Sequence, residues 1–305
     1  MLFCFRLHME EALISSSTLT PPLRIRRAVP EDADLCGQIC YEAFAAINDQ
    51  HRFPPDIPSA EAATGLLRML FSHPGFYSVV AEAEGQIVGS NCLDERSTVA
   101  GIGPITVAPK VQNRSIGRKL MEAVMGRARE RGFAGARLLQ AAFHNRSLSL
   151  YTKLGFDARE PISVMQGAPI KTVLEGWTVR PASEGDVDAA NRVCESIHGH
   201  NRAGELRDGI AHGTAFVVER HGRITGYASE LGFLGHAVGE SNVEIQALIT
   251  AADTFSGPGI LIPTRNSALF RWCLEHGLRV MYPMTLMTMG LYNEPRGAYL
   301  PSVLY

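Results

Sequence analysis

Hydrophobic and polar residues alternate with a helical period most clearly between Arg118 and Arg131. In that run the apolar side chains recur at intervals of three and four residues, at Leu120, Met121, Val124 and Ala128. Such a stripe is typical of an amphipathic helix that packs one face against a core and leaves its charged face in water. The pattern therefore predicts a helix that ends at Gly132.

Short apolar runs that flank this helix predict strands. One run covers residues 103–109, and the other covers residues 136–142. A second, shorter helix is predicted from Asn145 to Leu154, where Gly155 ends it. Because a strand, a helix and another strand in succession form a crossover, the two strands are expected to run parallel.

The chain also contains an internal repeat whose second copy is shorter. Three segments recur at falling offsets: 25–28 with 179–182 at 154 residues, 79–82 with 217–220 at 138 (137 for the glycines that follow), and 154–156 with 276–278 at 122. The first pair predicts a short strand followed by the start of a helix. The second pair predicts a β-hairpin with a glycine turn. The falling offset means that 15 residues are missing from the second copy between Gly226 and Gly277. Two related units are therefore expected.

The length of 305 residues fits two domains, each large enough to bury a core. We expect an N-terminal extension over residues 1–22, a first domain over 23–160, a linker over 161–176 and a second domain over 177–305. The linker assignment rests on two prolines and two glycines without periodicity.

Composition and charge exclude several classes. A net charge of -2 gives no overall attraction to nucleic acid or to an anionic membrane. The six cysteines are scattered, which is unlike a secreted disulfide framework, and the histidines fit no metal-ligand spacing. The expected protein is cytoplasmic, with no metal, no nucleic-acid partner and no membrane partner.

The segment between the first crossover strand and its helix carries the chemistry. It runs from Lys110 to Gly117, and small residues at Ser115 and Gly117 allow a ligand to approach the backbone. Successive amides that enter a helix N-terminus form an anion pocket, which suits a diphosphate. The glycine-lysine signature of a nucleoside-triphosphate loop is absent, and 101–103 lacks the third glycine of the dinucleotide fingerprint.

The motif Val-x-Pro-x-x-Gln at 107–112, the small-residue loop and the later sequence SLYTKLGF at 149–156 resemble the GCN5-related N-acetyltransferase (GNAT) superfamily. The resemblance covers roughly Leu23 to Phe156. It implies an α/β (α+β) fold of two tandem GNAT-like domains, each a mixed, mostly antiparallel central sheet flanked by helices. It also implies an acetyltransferase that moves acetyl from acetyl-coenzyme A to a primary amine of a small molecule or peptide.

The resemblance assigns roles to individual residues. It places the coenzyme A pyrophosphate on the backbone of the loop, and the pantetheine arm and thioester on the strand before it. The implied cofactor-binding residues are Ile105, Thr106, Val107, Gln112, Asn113, Arg114, Ser115, Ile116, Gly117, Arg118, Asn145 and Tyr151. Ser115 replaces the first glycine of the family loop. The spacing leaves His144 as an alternative to Asn145, because the repeat aligns Asn266 with His144.

The catalytic residues are assigned less directly. By resemblance, Tyr151 donates a proton to the departing thiolate, although an aromatic residue on such a helix more often fills a core. Asp94 and Glu95 are the nearest carboxylates and thus the candidate bases, with a solvated turn as the alternative. Residues 44–76, with Asp49, His51, Arg52 and Asp56, are expected on the acceptor side.

The second unit lacks the phosphate loop, and the 15 missing residues coincide with the loop and its helix. We therefore expect a degenerate GNAT-like domain that shapes the acceptor cleft. Two other functions stay open: a non-catalytic acyl-coenzyme A sensor, and a protein that recruits a partner through Phe270, Trp272 or the tail. The sequence leaves a homodimer open as well.

Overall fold

The computed structural model describes residues 23–304, and the expected extension over residues 1–22 lies outside them. Eight α-helices occur in this part of the chain: α1 (Ala33–His51), α2 (Ala60–Ser72), α3 (Ile116–Glu130), α4 (Asn145–Lys153), α5 (Val187–His198), α6 (Ala203–His212), α7 (Asn242–Ala251) and α8 (Ser267–Glu275). Of the described helices, none is long and apolar enough to cross a membrane.

Fourteen strands accompany these helices over the same residues. The first seven are β1 (Arg24–Arg27), β2 (Phe76–Ala83), β3 (Gln86–Asp94), β4 (Ala100–Ile102), β5 (Thr106–Val107), β6 (Gly135–Ala141) and β7 (Asp157–Gln166). The others are β8 (Thr178–Pro181), β9 (Phe216–Arg220), β10 (Arg223–Ala228), β11 (Ala237–Gly239), β12 (Ile260–Pro263), β13 (Arg279–Gly290) and β14 (Ala298–Leu300).

The strands form two sheets. The larger has the order β1-β2-β3-β4-β6-β13-β7-β12, with β5 paired to β3, and the smaller has the order β14-β11-β10-β9-β8. All the named pairs are antiparallel except β4 with β6, which are parallel. The parallel partner of β6 is therefore β4, which ends at Ile102, and not the strand predicted within 103–109, because β5 pairs with β3. The expected fold class, with two mostly antiparallel sheets flanked by helices, is confirmed.

The repeat is reproduced at the level of single ion pairs. In the first unit Arg26 donates to both carboxylate oxygens of Asp32, at 2.7 and 2.8 Å, and to Glu82 at 2.7 Å. In the second unit Arg180 donates to both oxygens of Asp186 at 2.8 Å, and to Glu219 at 3.0 Å. These clusters link the first strand, the start of the first helix and the hairpin of each unit in the same way.

The two units share the larger sheet. Strand β13 comes from the second half of the chain, and it lies between β6 and β7 with antiparallel pairing to both. Strand β12, also from the second half, pairs with the outer edge of β7. The expected linker over 161–176 begins inside β7. The connection between β7 and β8 that contains no helix or strand covers residues 167–177.

Helix α3 packs as its hydrophobic pattern predicts. Leu120, Met121 and Val124 are fully buried, and they join a core with β3, β4 and β6. The prediction that the second unit has lost this helix is wrong, because α7 follows β11 at the corresponding position. What the second unit lacks among its described residues is a counterpart of β5 and of the loop ahead of the helix, since Ser241 caps α7 two residues after β11 ends. Helix α7 is also shorter, at 10 residues against 15 in α3.

Candidate active site

A cleft opens in the larger sheet where two parallel strands diverge. Strand β4 pairs with β6 only through Ala100 with Ala136 and Gly101 with Arg137. Beyond Gly103 the chain continues as β5, which pairs with β3 alone among the described strands. Strand β6 pairs with β13 along its other edge from Gly135 to Ala141. Its edge beyond Arg137 and the facing edge of β5 therefore leave room for a ligand.

Strand β5 is held close to β3 by a glycine. A β-carbon on Gly89 would lie 2.4 Å from the Thr106 carbonyl oxygen, which is far inside a van der Waals contact. The Ser90 and Thr106 hydroxyls are 3.4 Å apart across the same pair of strands, and both residues are buried. The close approach of the two backbones fixes the position of Thr106 and Val107 at the cleft.

The loop after β5 leads into α3 with a fixed shape. Gln112 donates from Nε2 to the Val107 carbonyl at 3.1 Å, and Arg146 donates to Gln112 Oε1 at 3.0 Å. Ser115 is the N-cap residue of α3, with φ of 62° in the left-handed region. The first amides of α3 have no partner within the helix, so they are available to an anion at this end.

The cleft is part of a cavity of about 710 Å³. Every predicted cofactor-binding residue except Arg114 and Asn145 lines it: Ile105, Thr106, Val107, Gln112, Asn113, Ser115, Ile116, Gly117, Arg118 and Tyr151. Arg114 is exposed on the loop. The structure thus brings the strand, the loop and the tyrosine of the predicted motif to one cavity.

Tyr151 lies on the inner face of α4. It is 6% exposed, and its ring meets Phe156 edge-on at a centroid distance of 6.4 Å. Burial raises the pKa of the Tyr151 phenol above its ordinary value, so the hydroxyl stays protonated at neutral pH. The Tyr151 side chain packs in the core and also lines the cavity. The two roles considered from the sequence, core packing and contact with the cofactor, are therefore compatible.

Asp94 and Glu95 do not reach the cavity. Arg96 donates to both oxygens of Asp94, at 2.9 and 2.5 Å, and Arg127 donates to both oxygens of Glu95, at 2.7 and 3.1 Å. The reason is the direction of β3, since Asp94 pairs with Gly101 at the start of β4 whereas the cleft opens beside Ser90. Four residues of strand separate them, about 13 Å. The geometry therefore does not support either carboxylate as the base.

At the start of α4 the structure favours the alternative residue. His144 is the N-cap, and its Nδ1 accepts the Ser147 amide at 3.0 Å, as Asn266 Oδ1 accepts the Leu269 amide at 3.3 Å in the second unit. Asn145 is exposed and lies in a shallow depression beside the cavity. Burial lowers the pKa of His144. Because Nδ1 accepts the Ser147 amide, the neutral ring carries its proton on Nε2.

The second unit closes its corresponding helix N-terminus with its own carboxylate. Ser241 donates from its backbone amide and its hydroxyl to Glu244, at 2.9 and 2.6 Å, and Trp177 donates to Glu244 at 3.0 Å. Glu244 is buried. An anion would meet this negative charge where the first unit offers free amides.

Several cavity residues lie outside the predicted set. The second half of the chain supplies Glu230, Phe233, Leu234, Val303 and Leu304. They carry no local motif, because the fold brings them to the cavity from loops and from the chain end. Asp56 and Phe44 also line it, within the segment expected on the acceptor side.

Comparisons with known proteins agree with this geometry. Residues 41–156 match the acetyltransferase (GNAT) family model. The uncharacterized N-acetyltransferase YjgM of Escherichia coli strain K12 is 30% identical over 95 residues, which are 30% of this chain and 57% of that relative's length.

Two solved structures share the fold over most of the chain. A protein of Pyrococcus horikoshii has a TM-score of 0.71 at 17% identity, and the match covers 96% of this chain and 98% of the other. A tandem GNAT protein from the clavulanic acid biosynthesis pathway has a TM-score of 0.53 at 14% identity, with coverage of 88% and 98%. At these identities the likeness concerns the fold alone.

Proposed function

We propose that this protein is an N-acetyltransferase that uses acetyl-coenzyme A, because residues 41–156 match the acetyltransferase (GNAT) family model. The acceptor is a primary amine of a small molecule or peptide. The observation that carries the proposal is the single cavity, which joins the amide end of α3, the β5 edge and Tyr151.

The residues present fit coenzyme A. The N-terminal amides of α3 suit the pyrophosphate, and Arg118 and Arg146 add positive charge at the cavity wall. Gly117 leaves room there, since a β-carbon would only reach ordinary contact with Leu150 at 3.6 Å and with Val107 at 3.8 Å. The main chain of β5 and the gap before β6 suit the pantetheine arm. Ser115 takes the place of a glycine in this loop without closing the amide pocket.

Bound acetyl-coenzyme A supplies the acetyl thioester, and its sulfur leaves as a thiol. The backbone amides of β5 polarise the carbonyl and stabilise the negative charge that develops on its oxygen. Tyr151 hydrogen-bonds the departing sulfur and gives it a proton, which the protonated phenol holds ready. A base other than Asp94 and Glu95 takes a proton from the amine, because those carboxylates lie outside the cavity.

Calorimetric titration with acetyl-coenzyme A, followed by thiol release across a panel of amines, tests the proposal. The variant Gly117→Glu places a carboxylate at the amide pocket, and we expect its affinity to fall by about 100-fold or more. Gly126→Glu is the matched control on the same helix, where a β-carbon meets no atom within 4 Å. Its affinity should stay within about twofold of the unmodified protein.

The outcomes separate the competing functions. Binding with amine-dependent thiol release supports the transferase. Binding without release on any amine favours the acyl-coenzyme A sensor, and absence of binding overturns the cofactor assignment. Equal loss in both glycine variants would show that the loop is not the pyrophosphate site.

A further inference from the structure

The cavity continues beyond the cleft into a space between the two halves of the chain. Its walls are apolar, and they come from α1 and α2 on one side and from the second half on the other. We call this space the acceptor chamber and define it by Phe44, Ile57, Leu66, Phe233 and Leu304, with Asp56 at its wall. The arginines that line the same cavity, Arg118 and Arg146, belong to α3 and α4 at the cofactor end.

The end of the chain forms one wall of the chamber. Ser302 donates from Oγ to the Leu234 carbonyl at 2.7 Å, and the Val303 amide donates to the Phe233 carbonyl at 2.9 Å. A β-carbon on Gly101 would lie only 1.9 Å from the Leu304 carbonyl oxygen, so the tail lies directly on β4. The wall is therefore fixed to both halves.

Two carboxylates line the cavity, Asp56 from the first half and Glu230 from the second, and Asp56 is the buried one. It is 8% exposed, and Asn48 Nδ2 donates to its Oδ1 at 3.2 Å. Its described neighbours that act on the carboxylate are Asn48 and the Tyr282 hydroxyl, both neutral, and no described arginine, lysine or histidine pairs with it. A buried carboxylate without a cation is costly unless a ligand supplies one.

Asp56 also lies at the open end of the cleft. Tyr282, against which it packs, is in β13 two residues before Met284, and Met284 pairs with Ala141 at the end of β6. Phe53 and Phe143 stack at 4.4 Å beside Tyr282 and close this corner with aromatic surface. A group held at Asp56 thus lies near the strand edge where the thioester is expected.

We propose that the acceptor is an apolar primary amine, an alkylamine or arylalkylamine with one positive charge, whose ammonium binds Asp56 and whose hydrocarbon part fills the acceptor chamber. This inference rests on the proposed function. The new bond joins the amine nitrogen to the acetyl carbon as the carbon-sulfur bond breaks. Of the three ammonium protons, one passes to Asp56, one stays on the amide nitrogen, and one replaces the proton that Tyr151 gives to the departing sulfur.

A series of amines tests the apolar part of the proposal. For straight-chain amines from ethylamine to hexylamine, kcat/KM should rise by about threefold for each added methylene until the chamber is filled. 2-Phenylethylamine should also be a good acceptor, whereas spermidine and a peptide with a free N-terminus should be poor ones. A best acceptor among the polyamines or peptides would overturn the proposal.

The variant Asp56→Asn tests the charge. It keeps the shape and hydrogen-bonding oxygen of the side chain, so we expect acetyl-coenzyme A affinity within about twofold of the unmodified protein and a loss in kcat/KM for 2-phenylethylamine of about 30-fold or more. Glu42→Gln, an exposed carboxylate on α1, is the matched control and should leave both values unchanged.

Titration of 2-phenylethylamine into the complex with coenzyme A measures amine binding apart from turnover. Loss of this binding in Asp56→Asn alone supports the proposal, and equal amine binding in Asp56→Asn and the unmodified protein overturns it. If acetyl-coenzyme A fails to bind the unmodified protein, the proposed function itself fails, and calorimetry with the cofactor alone identifies that case.

Discussion

At the scale of single residues, Ser115 has a backbone conformation that glycine adopts more easily. Its φ of 62° lies in the left-handed region, which costs a residue with a β-carbon about 1 kcal/mol. Its side chain is exposed and caps no amide of α3. The strain is therefore not offset by a hydrogen bond from this side chain.

We expect Ser115→Gly to raise the free energy of unfolding by up to about 1 kcal/mol, because relief of the strain exceeds the added freedom of the unfolded chain. Urea denaturation measures the change. Ser115→Ala keeps the β-carbon and should show no gain. Equal stability of both variants would mean that φ at this position carries no penalty.

Tyr151 was identified from its position in the SLYTKLGF motif, and the structure explains how that position serves both packing and the cavity. We expect Tyr151→Phe to lower kcat by about 100-fold, because the departing sulfur loses its proton donor while the ring still packs on Phe156. The KM for acetyl-coenzyme A should change little. Steady-state kinetics measure both, with Tyr41→Phe as a control outside the cavity. An unchanged kcat would remove Tyr151 from the reaction.

Asp56 links stability to pH in the opposite direction to most carboxylates. Burial raises its pKa above the ordinary value of 3.8, and the Tyr282 hydroxyl and Asn48 amide offset this only in part. The Asp56 carboxyl therefore binds a proton more tightly in the folded state than in the unfolded state. The stability that this protonation contributes is complete below about pH 4 and is lost as the pH rises through the raised pKa.

Asp56→Asn should accordingly be more stable than the unmodified protein at pH 7, and the difference should shrink as the pH is lowered to 4. Thermal unfolding at several pH values measures it. A variant that is less stable at pH 7 would show that the carboxylate supports the fold instead of the ligand.

At the scale of secondary structure elements, the sequence predicts what depends on neighbouring residues. The stripe of α3, the hairpin turns and the strand-loop-helix order around 103–131 are all local, and the structure reproduces them. The sequence did not predict helix α7. Its residues from Val243 to Ile249 are apolar on most faces, so they show no amphipathic period. The sequence placed Asp94 near the site because of its position in the chain, whereas the direction of β3 carries this residue away from the cleft.

The close approach of β3 and β5 is the element-level feature on which the site depends. Gly89→Ala should push β5 away, because the new methyl group would meet the Thr106 carbonyl at 2.4 Å. We expect a loss of about 1 to 3 kcal/mol in the free energy of unfolding and weaker acetyl-coenzyme A binding.

Gly126→Ala provides the comparison for Gly89→Ala. Gly126 lies within α3 with open space around it, so alanine should stabilise that helix by about 0.5 to 1 kcal/mol and leave binding unchanged. Denaturation and calorimetry measure the pair. Normal binding by Gly89→Ala would show that the position of Thr106 tolerates this shift.

At the scale of the whole molecule, the repeat correctly predicted two related units, but it could not predict that they share a sheet. The pairing of β13 with β6 joins Thr285 to Gln140 and Leu286 to Leu139, residues that are far apart in sequence. No local pattern specifies such a partner. The same applies to the acceptor chamber, whose walls are complete only when both halves are present.

Sharing of the sheet leads to a prediction about fragments. A fragment that ends at Gly176 lacks β12 and β13, so β6 and β7 lose the strand between them and expose unpaired edges. We expect this fragment, and residues 177–305 alone, to be unfolded or aggregated when expressed separately. Together they should assemble into a complex with the circular dichroism spectrum of the intact chain.

A break in the chain alone should have little effect, which provides the control. Val173 is 88% exposed in the segment between β7 and β8, so a protease site inserted there should be cut while the halves stay associated and bind acetyl-coenzyme A as before. Size-exclusion chromatography after cleavage measures association. A soluble, monomeric fragment ending at Gly176 that binds acetyl-coenzyme A on its own would show that β13 is dispensable, because the first unit could then close its sheet without the second.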